Sequence, residues 1–197
     1  MDALLHAMSA QSATEWIAML AGLTYGILAV FQRPLCWLFG ILSCALIAYH
    51  DFTQYLLFAD GILQILYVLL GVAGLYYWVF PRNEGQPLRV RTWGWQRHLG
   101  IIGTSVLISI PLAYLLRHYT TATYTFLDTL TTVLSLYATW MVVQKVLENW
   151  LYWIVIDAIY VYLFFQRGGD LVAFLYAAYL IIATAGFYQW RRDLTRS

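Results

Sequence analysis

Seven long apolar runs, separated by short polar breaks, constrain the fold of this chain more than any other feature of its sequence. Runs of about 17 to 25 apolar residues match the roughly 30 Å hydrocarbon core of a bilayer. Hydrophobic residues make up 62% of the 197 residues and charged residues 11%, whereas a soluble domain has about 25% charged residues. Such a chain cannot cover itself with polar surface. We therefore expect an all-α integral membrane protein whose solvent is lipid.

The polar breaks set approximate ends for seven transmembrane helices. The predicted helices cover residues 14–31, 34–49, 55–80, 98–116, 123–143, 149–165 and 171–190. The second and the sixth are short for a tilted span, so we expect them to pack inside the bundle or to thin the bilayer locally. The whole chain, residues 1–197, is predicted to form a single transmembrane domain.

Basic residues test this arrangement independently, because Lys and Arg concentrate in short cytoplasmic loops. If the N-terminus is outside and the C-terminus inside, nine of the eleven basic residues are cytoplasmic and only Arg117 and Arg167 are external. The nine are Arg33, Arg82, Arg89, Arg91, Arg97, Lys145, Arg191, Arg192 and Arg196. We therefore predict a multi-pass protein with seven spans in this orientation, and we interpret the loop at 81–97 as a cytoplasmic connector.

Several other classes of protein find no support in the sequence. The net charge is only +1 and no basic cluster is combined with surface aromatic residues, so we expect no nucleic-acid partner. The four histidines lie at or beyond predicted helix ends, and neither HExxH nor GxSxG occurs, so we expect no enzyme, cofactor or metal ion. Cys36 and Cys44 lie too far apart along one helix to form a disulfide, and we interpret them as packing residues.

An internal repeat is suggested by two similar segments, 74–78 and 186–190, which read GLYYW and GFYQW. The same spacing pairs Gln32 with Gln144, and one inserted residue then pairs Trp37 with Trp150. We therefore predict two three-helix repeats, at 14–80 and 123–190, joined by a linking helix at 98–116. Because one extra crossing separates the repeats, they are parallel, in the 3+1+3 arrangement of SWEET-type transporters. Chance similarity between aromatic-rich helices is the alternative.

Asp157 is the clearest intramembrane ionisable residue, because it lies in the middle of the sixth helix and that helix contains no basic residue. A carboxylate there costs about 2.5 to 3.5 kcal/mol on insertion scales, so it normally faces a cavity or a partner. Spacing of three and four residues places Trp150, Trp153 and Tyr160 on the same face. This face would offer aromatic walls with a carboxylate between them.

Two further helices carry polar stripes at helical spacing. The fifth has Asp128, Thr132 and Ser135, and the third has Gln64 and Tyr67. A lumen lined in this way suits a flat, polar and possibly cationic ring, because aromatic faces attract cations. The alternatives are that Asp128 caps its helix and that the Ser and Thr hydroxyls bond their own backbone.

The segment from Glu148 to Trp153, which reads ENWLYW and is followed by Asp157, resembles the E-N-W-x-x-W segment of the PnuC family of bacterial vitamin transporters. The resemblance extends over nearly the whole chain. It implies a multi-pass protein of the bacterial inner membrane, a homotrimer with one substrate path per protomer, and facilitated diffusion without an ATPase. A cytoplasmic kinase would phosphorylate and so trap the vitamin. It also implies that Trp153, Gln64 and the residue at 157 line the site.

The full set of substrate-binding residues predicted from the helical faces and the resemblance is Asp157, Trp153, Gln64, Trp150, Asn149, Tyr160, Asp128, Thr132, Ser135 and Tyr67.

Departures from the family pattern bear on the substrate. Members that take nicotinamide riboside tend to have Asn at the positions of Gly71, Asp157 and Ala185, and this chain has none of the three. An ionised carboxylate only accepts hydrogen bonds, so we expect a cationic, donor-rich vitamin, thiamine first, as in the thiamine-transporting PnuT branch. Nicotinamide riboside and riboflavin are the alternatives, and Asp157 could also carry a proton in a symporter. The aromatic lining argues against an ion channel.

Overall fold

A computed structural model describes residues 11–80, 88–119 and 125–196, which form seven α-helices. In chain order they are α1 (Ala13–Val30), α2 (Cys36–His50), α3 (Phe58–Val79), α4 (Trp95–Tyr119), α5 (Thr125–Val143), α6 (Asn149–Gln166) and α7 (Asp170–Arg196). The predicted number of helices is therefore confirmed over the described part of the chain. Residues 81–87 of the predicted connector, including Arg82, and the predicted start of α5 at 123–124 lie outside the described residues.

Six of the seven described helices are long and apolar enough to cross a membrane. The helix outside this set is α6, which carries Asn149, Asp157 and Gln166 among its apolar residues. A helix with this composition gains less from contact with lipid, so neighbouring helices must cover its polar groups. The polar groups of this helix include Asp157, at the centre of the site that the sequence predicts.

The second helix is not the short span that the sequence predicts. It continues from His50 into a π-helical turn, Asp51–Tyr55, and it ends where Leu56 adopts a left-handed conformation with φ of 54°. The third helix consequently begins at Phe58 and not at 55. The seventh helix is also longer than predicted, because its basic end continues to Arg196 beyond the apolar run.

Six helices close into a ring. Neighbours along the chain pack within two groups, α1 to α3 and α5 to α7, and the groups meet where α1 packs against α7 and where α3 packs against α5. The remaining helix, α4, packs against α5 on the outside of the ring. A ring of this kind can enclose a central cavity whose wall is shared by both groups.

A short segment before α4 crosses the loop between α5 and α6. The Arg91 amide donates to the Lys145 carbonyl at 3.0 Å, and the Leu147 amide donates to the Arg91 carbonyl at 2.8 Å. The Trp93 amide donates to the Glu148 carboxylate at 3.3 Å. These bonds hold the start of α6 in a fixed position.

Candidate functional site

A cavity of about 270 Å³ lies at the centre of the ring. All six ring helices contribute to its wall, and none of the described residues that line it belongs to α4. Its size is close to the lower end of the roughly 300 to 1,000 Å³ typical of small-molecule sites. The cavity can therefore accommodate one small organic molecule.

One wall is the face of α6 predicted from sequence. Trp150, Trp153, Asp157 and Tyr160 all line the cavity. Regular helical geometry explains this, because residues three and four apart share a face. The Tyr160 ring is also 4.6 Å from the Tyr176 ring of α7, measured between centroids. The carboxylate is thus flanked by aromatic groups on both sides along its helix.

Asp157 has no counter-ion among the residues that the structure describes. Its side chain is buried, with 3% of its surface exposed, and it forms no hydrogen bond or ion pair within the described part of the chain. A buried carboxylate is normally paired or hydrogen-bonded, because the loss of hydration is otherwise uncompensated. The cavity therefore contains a carboxyl group that lacks a partner from the described protein.

The adjoining wall is formed by α5, which packs against α6, and by α3 next to it. Gln64 and Tyr67 line it from α3, and Ser135 lines it from α5. The Tyr67 and Ser135 hydroxyls are hydrogen-bonded to each other and so join the two helices. The Gln64 amide offers a donor and an acceptor to the cavity. Seven of the ten residues predicted from sequence thus surround one space.

The other three predicted residues lie away from the cavity. Asp128 accepts from Arg167 at 2.6 Å in an ion pair between the ends of α5 and α6. The Thr132 hydroxyl donates to the Asp128 carbonyl at 2.8 Å. Asn149 is fully buried at the start of α6, where its side-chain amide donates to the Val146 carbonyl at 2.6 Å. Their observed contacts are structural.

Sequence reasoning missed the lining residues of α1, α2 and α7. Tyr25, Trp37, Tyr176 and Tyr179 all face the cavity. In the sequence they lie in almost uniformly apolar helices, where an aromatic residue looks the same whether it faces lipid or a lumen. The one available signal was the internal repeat, since Tyr179 follows Tyr67 at the same spacing as the GLYYW and GFYQW segments.

Most lining positions of the two groups occur in matched pairs. In the first two helices of each group one constant offset pairs positions 22 and 135, 26 and 139, 29 and 142, 37 and 150, 40 and 153, 44 and 157, and 47 and 160. In the third helices the offset is one position shorter and pairs 64 and 176, 67 and 179, and 71 and 183.

The loops that follow α1 and α5 match in the same register. Gln32 and Lys145, which are paired by the offset of the first two helices, both have a left-handed conformation, with φ of 53° and 51°. The sequence pairing of Gln32 with Gln144 differs from this register by one position. The two groups therefore present equivalent positions to the cavity but different side chains, because Gly40 and Cys44 are the equivalents of Trp153 and Asp157.

A ring of membrane helices around a central cavity, with aromatic walls and a buried carboxylate that no described residue pairs, defines a multi-pass membrane transporter for a small organic solute. Comparison with known proteins leads to the same class of protein. The family model described as nicotinamide mononucleotide transporter matches residues 12–192. The chain belongs to this family, and the predicted PnuC-type membership is confirmed. It is accordingly a multi-pass protein of the bacterial inner membrane.

Individual relatives are distant but cover most of the chain. The nicotinamide riboside transporter PnuC of Neisseria mucosa is 28% identical over 92% of this chain and 74% of its own length. The protein of the same name from Escherichia coli is 24% identical over 89% of this chain and 84% of its own length. The crystal structure of the vitamin B3 transporter PnuC is similar with a TM-score of 0.75, covering 98% of this chain and 87% of that chain at 22% identity.

Proposed function

We propose that the chain mediates uptake of nicotinamide riboside by facilitated diffusion. The observation that carries the proposal is the buried Asp157, which no described residue pairs, between aromatic walls. The pyridinium ring of nicotinamide riboside is flat and positively charged, so it satisfies both the carboxylate and the aromatic faces. The relatives named as nicotinamide riboside transporters support this substrate.

Within the cavity we assign roles from position. Asp157 is the counter-ion of the ring, and Trp153 and Tyr160 form its aromatic walls. Gln64 and the hydrogen-bonded pair of Tyr67 and Ser135 are the polar groups available to hydroxyls of the ribose.

Thiamine is the second candidate. The sequence favoured thiamine first because a carboxylate replaces the amide at 157, but the comparisons favour nicotinamide riboside. The carboxylate alone does not select thiamine, because the thiazolium of thiamine and the pyridinium of nicotinamide riboside are both cationic. The difference between the substrates must come from the polar groups around the ring.

Titration of the purified protein with nicotinamide riboside, thiamine and riboflavin tests the substrate. Trp150 and Trp153 line the cavity, so a bound ring is expected to quench tryptophan fluorescence. We expect tight quenching by nicotinamide riboside. Tight quenching by thiamine alone would overturn the assignment of the substrate while leaving the transporter class intact.

The transport mode has its own test. We propose a uniporter, whose substrate a cytoplasmic kinase then phosphorylates, because phosphate adds about −1.5 to −2 charges and prevents return. Uptake into proteoliposomes is expected to be unchanged when a protonophore dissipates the proton gradient. Loss of uptake would show instead that Asp157 carries a proton in a symporter.

For the architecture we propose two parallel repeats, α1 to α3 and α5 to α7, with α4 as the linking helix, and with the N-terminus outside and the C-terminus inside. The matched lining positions support this arrangement, and so does the position of α4 outside the ring. A homotrimer is proposed from the family resemblance, and size-exclusion chromatography with light scattering tests it.

A further inference from the structure

Four tryptophans lie together at one end of the cavity, where α1, α3 and α5 end and α2 and α6 begin. We call Trp37, Trp78, Trp150 and Trp190 the tryptophan floor. Their rings form a continuous chain, with centroid distances of 5.4 Å from Trp37 to Trp78, 6.1 Å from Trp78 to Trp190 and 5.3 Å from Trp190 to Trp150. Under the predicted orientation this is the cytoplasmic end.

The cavity is closed at this end. The lining residues next to the floor are buried, with exposures of 1% for Ala29, 2% for Val142 and 2% for Ala183. At the opposite end, the lining residues Ile47, Leu63 and Tyr160 are only partly buried. A solute in the cavity must therefore pass the floor to reach the cytoplasm.

Two members of the floor connect one group of helices to the other. Trp78 of α3 donates its indole N–H to the Val143 carbonyl at the end of α5, at 3.2 Å. Trp190 of α7 donates to the carbonyls of Ala29 and Val30 at the end of α1, at 3.1 and 3.2 Å. Each third helix is thereby joined to the first helix of the other group.

The other two members lie on glycines of their own group. A Cβ atom built on Gly186 would lie 2.5 Å from Cε2 of Trp150, and a Cβ atom on Gly74 would overlap the Trp37 ring. Neither the Trp37 nor the Trp150 indole N–H has an acceptor among the described residues. Within the floor, then, the indole hydrogen bonds between the groups are made by Trp78 and Trp190.

We propose that the tryptophan floor is the cytoplasmic gate, held closed by the hydrogen bonds of Trp78 and Trp190. Separation of α1 from α7 and of α3 from α5 at this end requires these bonds to break, whereas Trp37 and Trp150 can move with the glycines beneath them. Lys145 reinforces the closed state from the loop after α5. Its Nζ lies 4.6 Å from the centre of the Trp78 ring and 3.2 Å from Gln32 Oε1.

The two native cysteines provide the test. Cys44 lines the cavity, whereas Cys36 is fully buried beside the floor. In a Cys36→Ser background, an impermeant maleimide applied to inside-out vesicles reports water access to Cys44, because only the thiolate reacts. Trp78→Phe and Trp190→Phe each remove an indole N–H, and we expect roughly two- to tenfold faster labelling from the cytoplasmic side for each, which is the equilibrium shift for one lost hydrogen bond.

Trp37→Phe is the matched control, because it shrinks a ring of the same cluster but breaks no hydrogen bond among the described residues. It is expected to leave cytoplasmic labelling of Cys44 unchanged. Equal acceleration in the control would overturn the proposal, because loss of packing alone would then explain the effect. Unchanged labelling in the Trp78→Phe, Trp190→Phe double variant would also overturn it, because the two hydrogen bonds would then not hold the gate closed. Monodisperse elution of each variant establishes that it is folded. The assay needs no substrate, so its result is independent of the proposed vitamin.

Discussion

Removing the charge of Asp157 while keeping its shape is the sharpest test of the proposed site. Asp157→Asn replaces a carboxylate by an amide of nearly the same size in a position that is 3% exposed. Because the amide can still form hydrogen bonds with a ligand, the absolute affinity is a poor measure of the charge. The informative quantity is the ratio of affinities for a cationic ligand and for a neutral ligand of the same shape.

The magnitude follows from the surroundings of the carboxylate. No cation compensates it among the described residues, so a bound pyridinium would be its counter-ion. Two unit charges about 4 Å apart attract by about 4 kcal/mol at an effective dielectric constant of about 20. Desolvation cancels part of this gain, and hydrogen bonds to charged groups retain about 1.5 to 3 kcal/mol. The ratio should therefore fall roughly 10- to 150-fold in the variant.

Isothermal titration calorimetry with nicotinamide riboside and with its reduced, uncharged dihydro form measures this ratio directly. The matched control is Asp128→Asn, which removes a carboxylate that lies outside the cavity and pairs with Arg167. We expect the ratio to fall for Asp157→Asn and to stay constant for Asp128→Asn.

An equal loss of affinity for both ligands would refute the reasoning, since it would mean that Asp157 shapes the cavity but does not distinguish a cationic from a neutral ligand. Equal effects of the two variants would refute it as well, because a long-range field and not a contact would then select the cation.

Two further predictions concern the structure around the site. Gly186→Ala should destabilise the protein by about 1 to 3 kcal/mol, because the added methyl group would overlap the Trp150 ring. A lower midpoint of thermal unfolding would report this loss. The control is Gly100→Ala, which should not lower the midpoint, because a Cβ atom there would have no neighbour within 4 Å. Burial lowers the pKa of Lys145, in the loop after α5, from 10.5 to about 8, against the opposing influence of Cys36 and Asp193. The charged form is thus the costly one in the folded state, so stability should rise as the pH increases from about 8 toward 10.5. Thermal unfolding across this range should show the rise in the wild type and a smaller one in Lys145→Met; identical profiles would contradict it.

Much of the fold could be predicted from the sequence, because the apolar runs and the polar breaks are physical requirements of a membrane span. The π-helical turn at Asp51–Tyr55 could not, since its residues look like the start of the next helix. The end of α7 was missed for the opposite reason: its charged residues resemble a loop, although they continue the helix into water.

The lining of the candidate site was predictable where polar groups follow helical spacing. The face of α6 was found in this way, and Gln64, Tyr67 and Ser135 were found in the same way. The contribution of α1 and α7 was not, because glycines and tyrosines in apolar helices carry no polar signal. Asp128 shows the limit of spacing alone, since it continues the stripe of α5 but lies beyond the cavity, paired with Arg167.

The polarity of α6 has a consequence for how the chain is made. Of the seven described helices, this is the one whose hydropathy falls short of that expected of an independent span, yet it carries the carboxylate of the cavity wall. We therefore expect its transfer from the translocon into lipid to depend on α5, which precedes it, and on α7, which follows. On this view, the proposed binding site assembles only when synthesis is complete, and we expect a nascent chain that stops short of α7 to lack a stable place for Asp157 in the bilayer.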